Sequence, residues 1–68
     1  MKTLFGERLR ELRNEEGISL AAMSKKVEIP QSSLSRWENG KADITSFNLI
    51  KLAKYFHVST DYLLGLED

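Results

Sequence analysis

Ile18–Gly40, ISLAAMSKKVEIPQSSLSRWENG, decides how this chain folds. Ser19 offers a side-chain oxygen that caps a helix start. Leu20, Met23 and Val27 then recur at i, i+3 and i+7, with Ala21, Ala22 and Ser24 between them. Lys25 and Lys26 fall in the last turn, where cations suit the helix dipole. Pro30 stops this helix, because it fixes its own φ and biases Ile29 away from the α region. A second helix starts at Pro30 or Gln31 and runs to Asn39, where Asn39-Gly40 is a strong stop. Leu34 and Trp37 give that helix an apolar side. Gln31, Ser32, Ser33, Ser35 and Arg36 lie away from it. Such a helix can rest on a core and still enter a DNA groove. Taken alone, the same polar face also suits a plain solvated surface.

The flanks supply the rest of the fold. Upstream, Phe5, Leu9, Leu12 and Glu16 fall at i, i+4, i+7 and i+11, which predicts a helix over residues 4–16 ended by Gly17. Downstream, Lys41–Ile44 reads as a loop, and Thr45 or Ser46 caps a fourth helix. Phe47, Leu49, Ile50, Leu52, Ala53 and Phe56 make it apolar on more than half its circumference. That pattern predicts the central core helix, with neighbours on several sides. His57 closes it. Ser59 caps a last short helix carrying Tyr62, Leu63, Leu64 and Leu66, and Gly65 ends it. The expectation is an all-α, compact five-helix fold in one domain, residues 1–68, with the helix-turn-helix at 19–39.

Composition excludes several classes. The chain has 68 residues, 41% hydrophobic and 29% charged, the balance of an ordinary globular domain. It has no cysteine, so neither a disulfide nor a thiolate metal site is available. No apolar run approaches a membrane span, and MKTLFGERLRELR is not a secretory signal. A cytoplasmic location is expected. With a lone His57 and no glycine-rich phosphate loop, there is no site for an enzyme, a metal or a cofactor. The formal net charge is zero, which counts mildly against a nucleic-acid partner. The distribution is uneven: residues 1–41 carry a small cationic surplus and residues 42–68 a matching anionic one. Tyr62, Leu63, Leu64 and Leu66 are more apolar residues than so short a helix usually buries. They are expected to form a dimer interface.

RLRELRNEEGIS, LSRWENGK, LIKLAKYF and VSTDYLLG, in this order and spacing, resemble the phage-repressor and Cro type of helix-turn-helix domain, the broad bacterial family of xenobiotic-response-element regulators. The resemblance spans about Phe5 to Leu64. It implies a DNA-binding transcriptional regulator, a repressor by preference, that docks its third helix in the major groove as a homodimer. The partner would be a near-palindromic double-stranded operator, with half-sites about 34 Å apart. Gln31 can pair bidentately with adenine. Ser32, Ser33 and Ser35 allow close approach, and Arg36 can reach guanine or a phosphate. Ser19 sits at a helix N-terminus suited to a phosphate. Lys41 and the backbone amides around Asn39 and Gly40 resemble the family's phosphate-clamping loop. The resemblance also implies an ion pair between Arg13 and Glu38.

Three positions depart from the family pattern. Leu20 replaces a glutamine that meets the phosphate backbone, Glu28 replaces a turn glycine, and Ile44 replaces a proline. Together with the neutral charge, Leu20 and Glu28 favour a rival reading: a protein-interaction module of the same fold, an antitoxin or antirepressor. The end, Gly65-Leu66-Glu67-Asp68, suits either a terminus or the start of a linker.

Overall fold

A computed structural model describes residues 4–66. They form five helices: α1 Leu4–Glu16, α2 Leu20–Val27, α3 Gln31–Glu38, α4 Ser46–Phe56 and α5 Thr60–Leu64. Side-chain caps start three of them. Ser19 Oγ accepts from the Ala22 amide at 3.1 Å, Thr45 Oγ1 from Asn48 at 3.3 Å, and Ser59 Oγ from Tyr62 at 2.9 Å. Pro30 starts α3 without a side-chain cap. Its carbonyl accepts from the Ser33 and Leu34 amides instead. Asn39 lies just outside α3, as its C-cap.

Each helix contributes one fully buried apolar side chain to a single core: Leu9, Met23, Leu34, Leu52 and Leu63. Each such burial stabilises by about 1.5–3 kcal/mol. Phe5 and Trp37 pack beside them, with ring centroids 6.4 Å apart. α1 crosses the end of α3 very closely. A Cβ added at Gly6 would lie 2.5 Å from the Trp37 carbonyl oxygen and 2.9 Å from that of Glu38. Glycine therefore sits inside a helix, despite its entropic cost, because only hydrogen fits.

The contact beside Gly6 is locked by charge. Glu38 is buried, its side chain 2% exposed. Arg13 grips it with two bonds, Nε to Oε2 at 2.7 Å and Nη2 to Oε1 at 3.1 Å. Arg13 Nη1 also donates to the Ile18 carbonyl at 3.0 Å, so one guanidinium ties α1, the α1–α2 turn and α3 together. Hydrogen bonding to Glu38 raises the Arg13 pKa, against the opposing effect of burial. Arg10 approaches the same carboxylate at 3.4 Å from a more exposed position.

Two expectations need correction. α4 is not wrapped on several sides. It packs against α2 and α5 through Leu52 and Ala53, while Phe47 is 73% and Ile50 47% exposed. Among the described residues, no further element covers that face. Leu63, expected at a dimer interface, is fully buried within the core and is not available to a partner.

Glu28 and His57 end α2 and α4 in the left-handed region, both at φ 58. A Cβ there is strained, and glycine is the relaxed choice. Glu28→Gly is expected to stabilise the fold by about 1 kcal/mol, read as a rise of roughly 4–8 °C in Tm. Glu38→Ala strands the Arg13 charge and is expected to cost about 3–5 kcal/mol in urea unfolding. Arg10→Ala should cost less than about 1 kcal/mol, because that guanidinium is solvated. Equal losses for the two variants would contradict the distinct burial of the two arginines.

Candidate nucleic-acid interface

The rotation of α3 is fixed by what it buries. Leu34, Trp37 and Glu38 face the core. At about 100° per residue, Gln31, Ser35, Ser32 and Arg36 then share one outward arc. Gln31, Ser32 and Arg36 are exposed, and Ser35 is half-buried at the foot of the arc. Ser33 is also half-buried and lies outside it, on the Trp37 flank. The arc carries no carboxylate. Its side chains offer an amide, two hydroxyls and a guanidinium, all hydrogen-bonding groups short or planar enough for base edges.

The surroundings are mixed in charge. Lys41, just past α3, is exposed, and so are Lys25 and Lys26 in the last turn of α2. Glu28 is exposed in the turn between α2 and α3. Ser19 is exposed at the start of α2, where its Oγ already serves the Ala22 amide. Leu20 is half-buried and packs against the core, which explains how an apolar residue is accommodated there.

Asn39 does not stand as expected. Its side-chain oxygen accepts from Arg10 Nη2 at 2.9 Å, and its NH2 donates to the Ser35 carbonyl at 2.9 Å. The backbone amides of Asn39, Gly40 and Lys41 donate to Ser35, Trp37 and Arg36 carbonyls, at 3.1, 3.1 and 2.8 Å. The last carbonyls of a helix need partners, and these amides supply them. These backbone amides close α3, while the Asn39 side chain stays exposed at the end of the helix. Lys41 is exposed beside it.

At the opposite end of the chain, Leu64 is 40% and Leu66 72% exposed. Tyr62 is half-buried beneath Arg8, whose guanidinium carbon lies 4.4 Å from the ring centroid. Arg8 Nη1 also donates to the Tyr62 carbonyl at 3.1 Å. Leu4, half exposed, lies over Gly65, so the exposed leucines of both ends adjoin. Sequence reasoning missed Leu4 and Arg10. For Arg10 a signal existed: it stands three residues before Arg13, on the same side of α1.

Comparison with known proteins follows the same lines. A helix-turn-helix family model matches residues 9–63. The transcriptional regulator ImmR of Bacillus subtilis is 36% identical over 64 residues, covering 94% of this chain and 50% of ImmR. Repressor protein C2 of Salmonella phage P22 is 38% identical over 61 residues, covering 90% of this chain and 28% of C2. The chain thus spans half the length of ImmR and less of C2. The structure of the P22 c2 repressor in complex with a synthetic operator superposes with a TM-score of 0.86 at 35% identity, covering 97% of this chain and all of that one. The restriction-modification controller protein C.AhdI of Aeromonas hydrophila gives 0.80 at 30% identity, covering 90% and 92%. These relatives are regulators rather than enzymes. With most of its length matched and all five helices in place, the chain belongs to the helix-turn-helix family, in its phage-repressor and Cro-type branch.

Proposed function

We propose that this chain is a sequence-specific double-stranded DNA-binding regulator of the repressor type, placing α3 in the major groove of a near-palindromic operator as a homodimer. The observation that carries the reading is the outward arc of α3. Gln31, Ser32, Ser35 and Arg36 stand together on a helix whose opposite face is anchored in the core. A helix-turn-helix presents its second helix in this way, with the first crossing the backbone. The P22 c2 relative, solved on an operator, supports the same placement. Gln31 and Arg36 read base edges, Ser32 and Ser35 permit close approach, and Ser19 and Lys41 meet phosphates. Tyr62, Leu64 and Leu66, joined by Leu4, supply the contact with a second copy. Ser33 is peripheral to the reading arc. The protein acts in the cytoplasm, where its operator is.

Selection of bound sequences from a random duplex library tests this. Recovery of a two-fold symmetric sequence, with half-sites one helical turn apart, is expected. Failure to enrich any sequence at micromolar protein and low salt would leave the antirepressor or antitoxin reading in its place. Two variants separate base from backbone contacts. Gln31→Ala should cost about 1–3 kcal/mol and relax preference at one position per half-site. Lys41→Ala should weaken binding to all sequences alike and flatten the salt dependence by about one phosphate's worth.

A further inference from the structure

Two guanidiniums approach the Glu38 carboxylate, and one of them satisfies it. Arg13 meets both oxygens, at 2.7 and 3.1 Å. Arg10 Nε reaches Oε1 only at 3.4 Å, beyond the usual range of a charge-assisted bond. Two cations against one carboxylate leave one positive charge over. That charge is held in place at the C-terminal end of α3. Arg10 Nη2 donates to the Glu38 carbonyl at 3.4 Å and to Asn39 Oδ1 at 2.9 Å. Nη1 makes no hydrogen bond among the described residues, and the Arg10 side chain is 44% exposed.

Asn39 locates this guanidinium relative to the reading arc. The Asn39 amide still donates to the Ser35 carbonyl, four residues back, at 3.1 Å, so the residue keeps helical register. It stands one turn beyond Ser35 on the same arc and is exposed. Arg10, bonded to its side chain, therefore lies at the C-terminal end of the arc. A groove-bound recognition helix meets bases with its N-terminal residues. The major groove is about as wide as a helix with its side chains, so groups beyond the base-reading end face the bordering phosphates. We infer that Arg10, a residue of α1, binds a phosphate of the DNA backbone through Nη1. A guanidinium fork suits a phosphodiester oxyanion. Glu38 and Asn39 orient it before DNA arrives, so little side-chain freedom is lost on binding. The phosphate also relieves the repulsion between Arg10 and Arg13. The inference rests on α3 being the groove helix.

Two measurements on the wild type and Arg10→Gln test it, using the sequence selected from a random duplex library. The first is affinity across a salt series. Arg10→Gln should lower the slope of log affinity against log salt by about one unit, the release of one phosphate's counterions. At low salt it should weaken binding about tenfold, the effect of one charge-assisted bond. The loss should be equal on the selected sequence and on its base-substituted variants. The second replaces one operator phosphate at a time by an uncharged methylphosphonate. Wild-type binding should fall about tenfold at the phosphate that Arg10 holds. Arg10→Gln should be indifferent to that replacement and keep the wild-type response at every other phosphate.

A merely structural role for Arg10 lowers Tm or affinity but leaves the salt slope and the phosphate profile as they were, and that result overturns the inference. A loss confined to one base position overturns it too, since a phosphate carries no sequence. If Arg10→Gln does not fold, Arg10→Ala takes its place in both measurements with the same expected outcomes. A wild type that selects no sequence overturns the DNA-binding reading and this inference with it. A selective wild type whose slope and profile are matched by the variant overturns this inference only.

Discussion

The buried carboxylate of Glu38 is the constraint on which the rest depends. A charge taken out of water in so small a domain is tolerable only if it is paired and hydrogen-bonded. Arg13 meets it with two bonds and spends its remaining nitrogen on the Ile18 carbonyl. That geometry exists only where α1 crosses the last turn of α3 at close range. Gly6 permits the approach, since any side chain there would meet the backbone of Trp37 and Glu38. Ion pair and glycine therefore enforce one another, and jointly set the angle at which α3 leaves the core. Most of α3's outward arc follows from this crossing and from Leu34 and Trp37.

Much of this was legible in the sequence. The five helices follow from capping serines and threonine, apolar periodicity and Pro30, all of which act locally. The two faces of α3 follow from the spacing of Leu34 and Trp37. Coverage was not legible, because a periodic pattern states which side is apolar and not what lies against it. α4 shows this: its apolar residues run most of the way round, yet Phe47 and Ile50 face solvent. Leu63 shows the converse, since four apolar residues at a chain end look alike until one of them is seen to complete the core. Gly6 was silent for a related reason. Its role lies in the carbonyls of a helix thirty residues away.

Asn39 illustrates a competition that spacing cannot resolve. Backbone amides after a helix can cap its carbonyls or bind an anion, and the same residues serve either end. Here the amides of Asn39, Gly40 and Lys41 close α3. The side chain of Asn39 is recruited too, because Arg10 stands on the adjacent face of α1 with a donor to place. A family pattern transfers the residue types, but their partners are set by which neighbours this chain supplies. Glu28 and His57 make the same point in the backbone. Each occupies a left-handed position that favours glycine, and tertiary packing holds it there against local preference.

On the proposed reading, this internal use of polar groups bears on how binding free energy is divided. The amides that close α3 are not released to phosphates, and Leu20 cannot reach one. Backbone anchoring then falls mainly on Lys41 and the start of α2. Few phosphates are neutralised per protomer, so counterion release, which supplies most non-specific affinity, is small. The neutral net charge points the same way. A single copy then has modest affinity but little non-specific attraction to subtract from its base contacts. A second copy raises affinity without adding non-specific charge, because linked half-sites convert the second contact into an intramolecular one. The leucines left exposed at Leu4, Leu64 and Leu66 are the apolar surface from which that linkage can be made. A domain that spends its amides and its asparagine on holding one helix still thereby depends on pairing for strength and on side-chain polarity for choice.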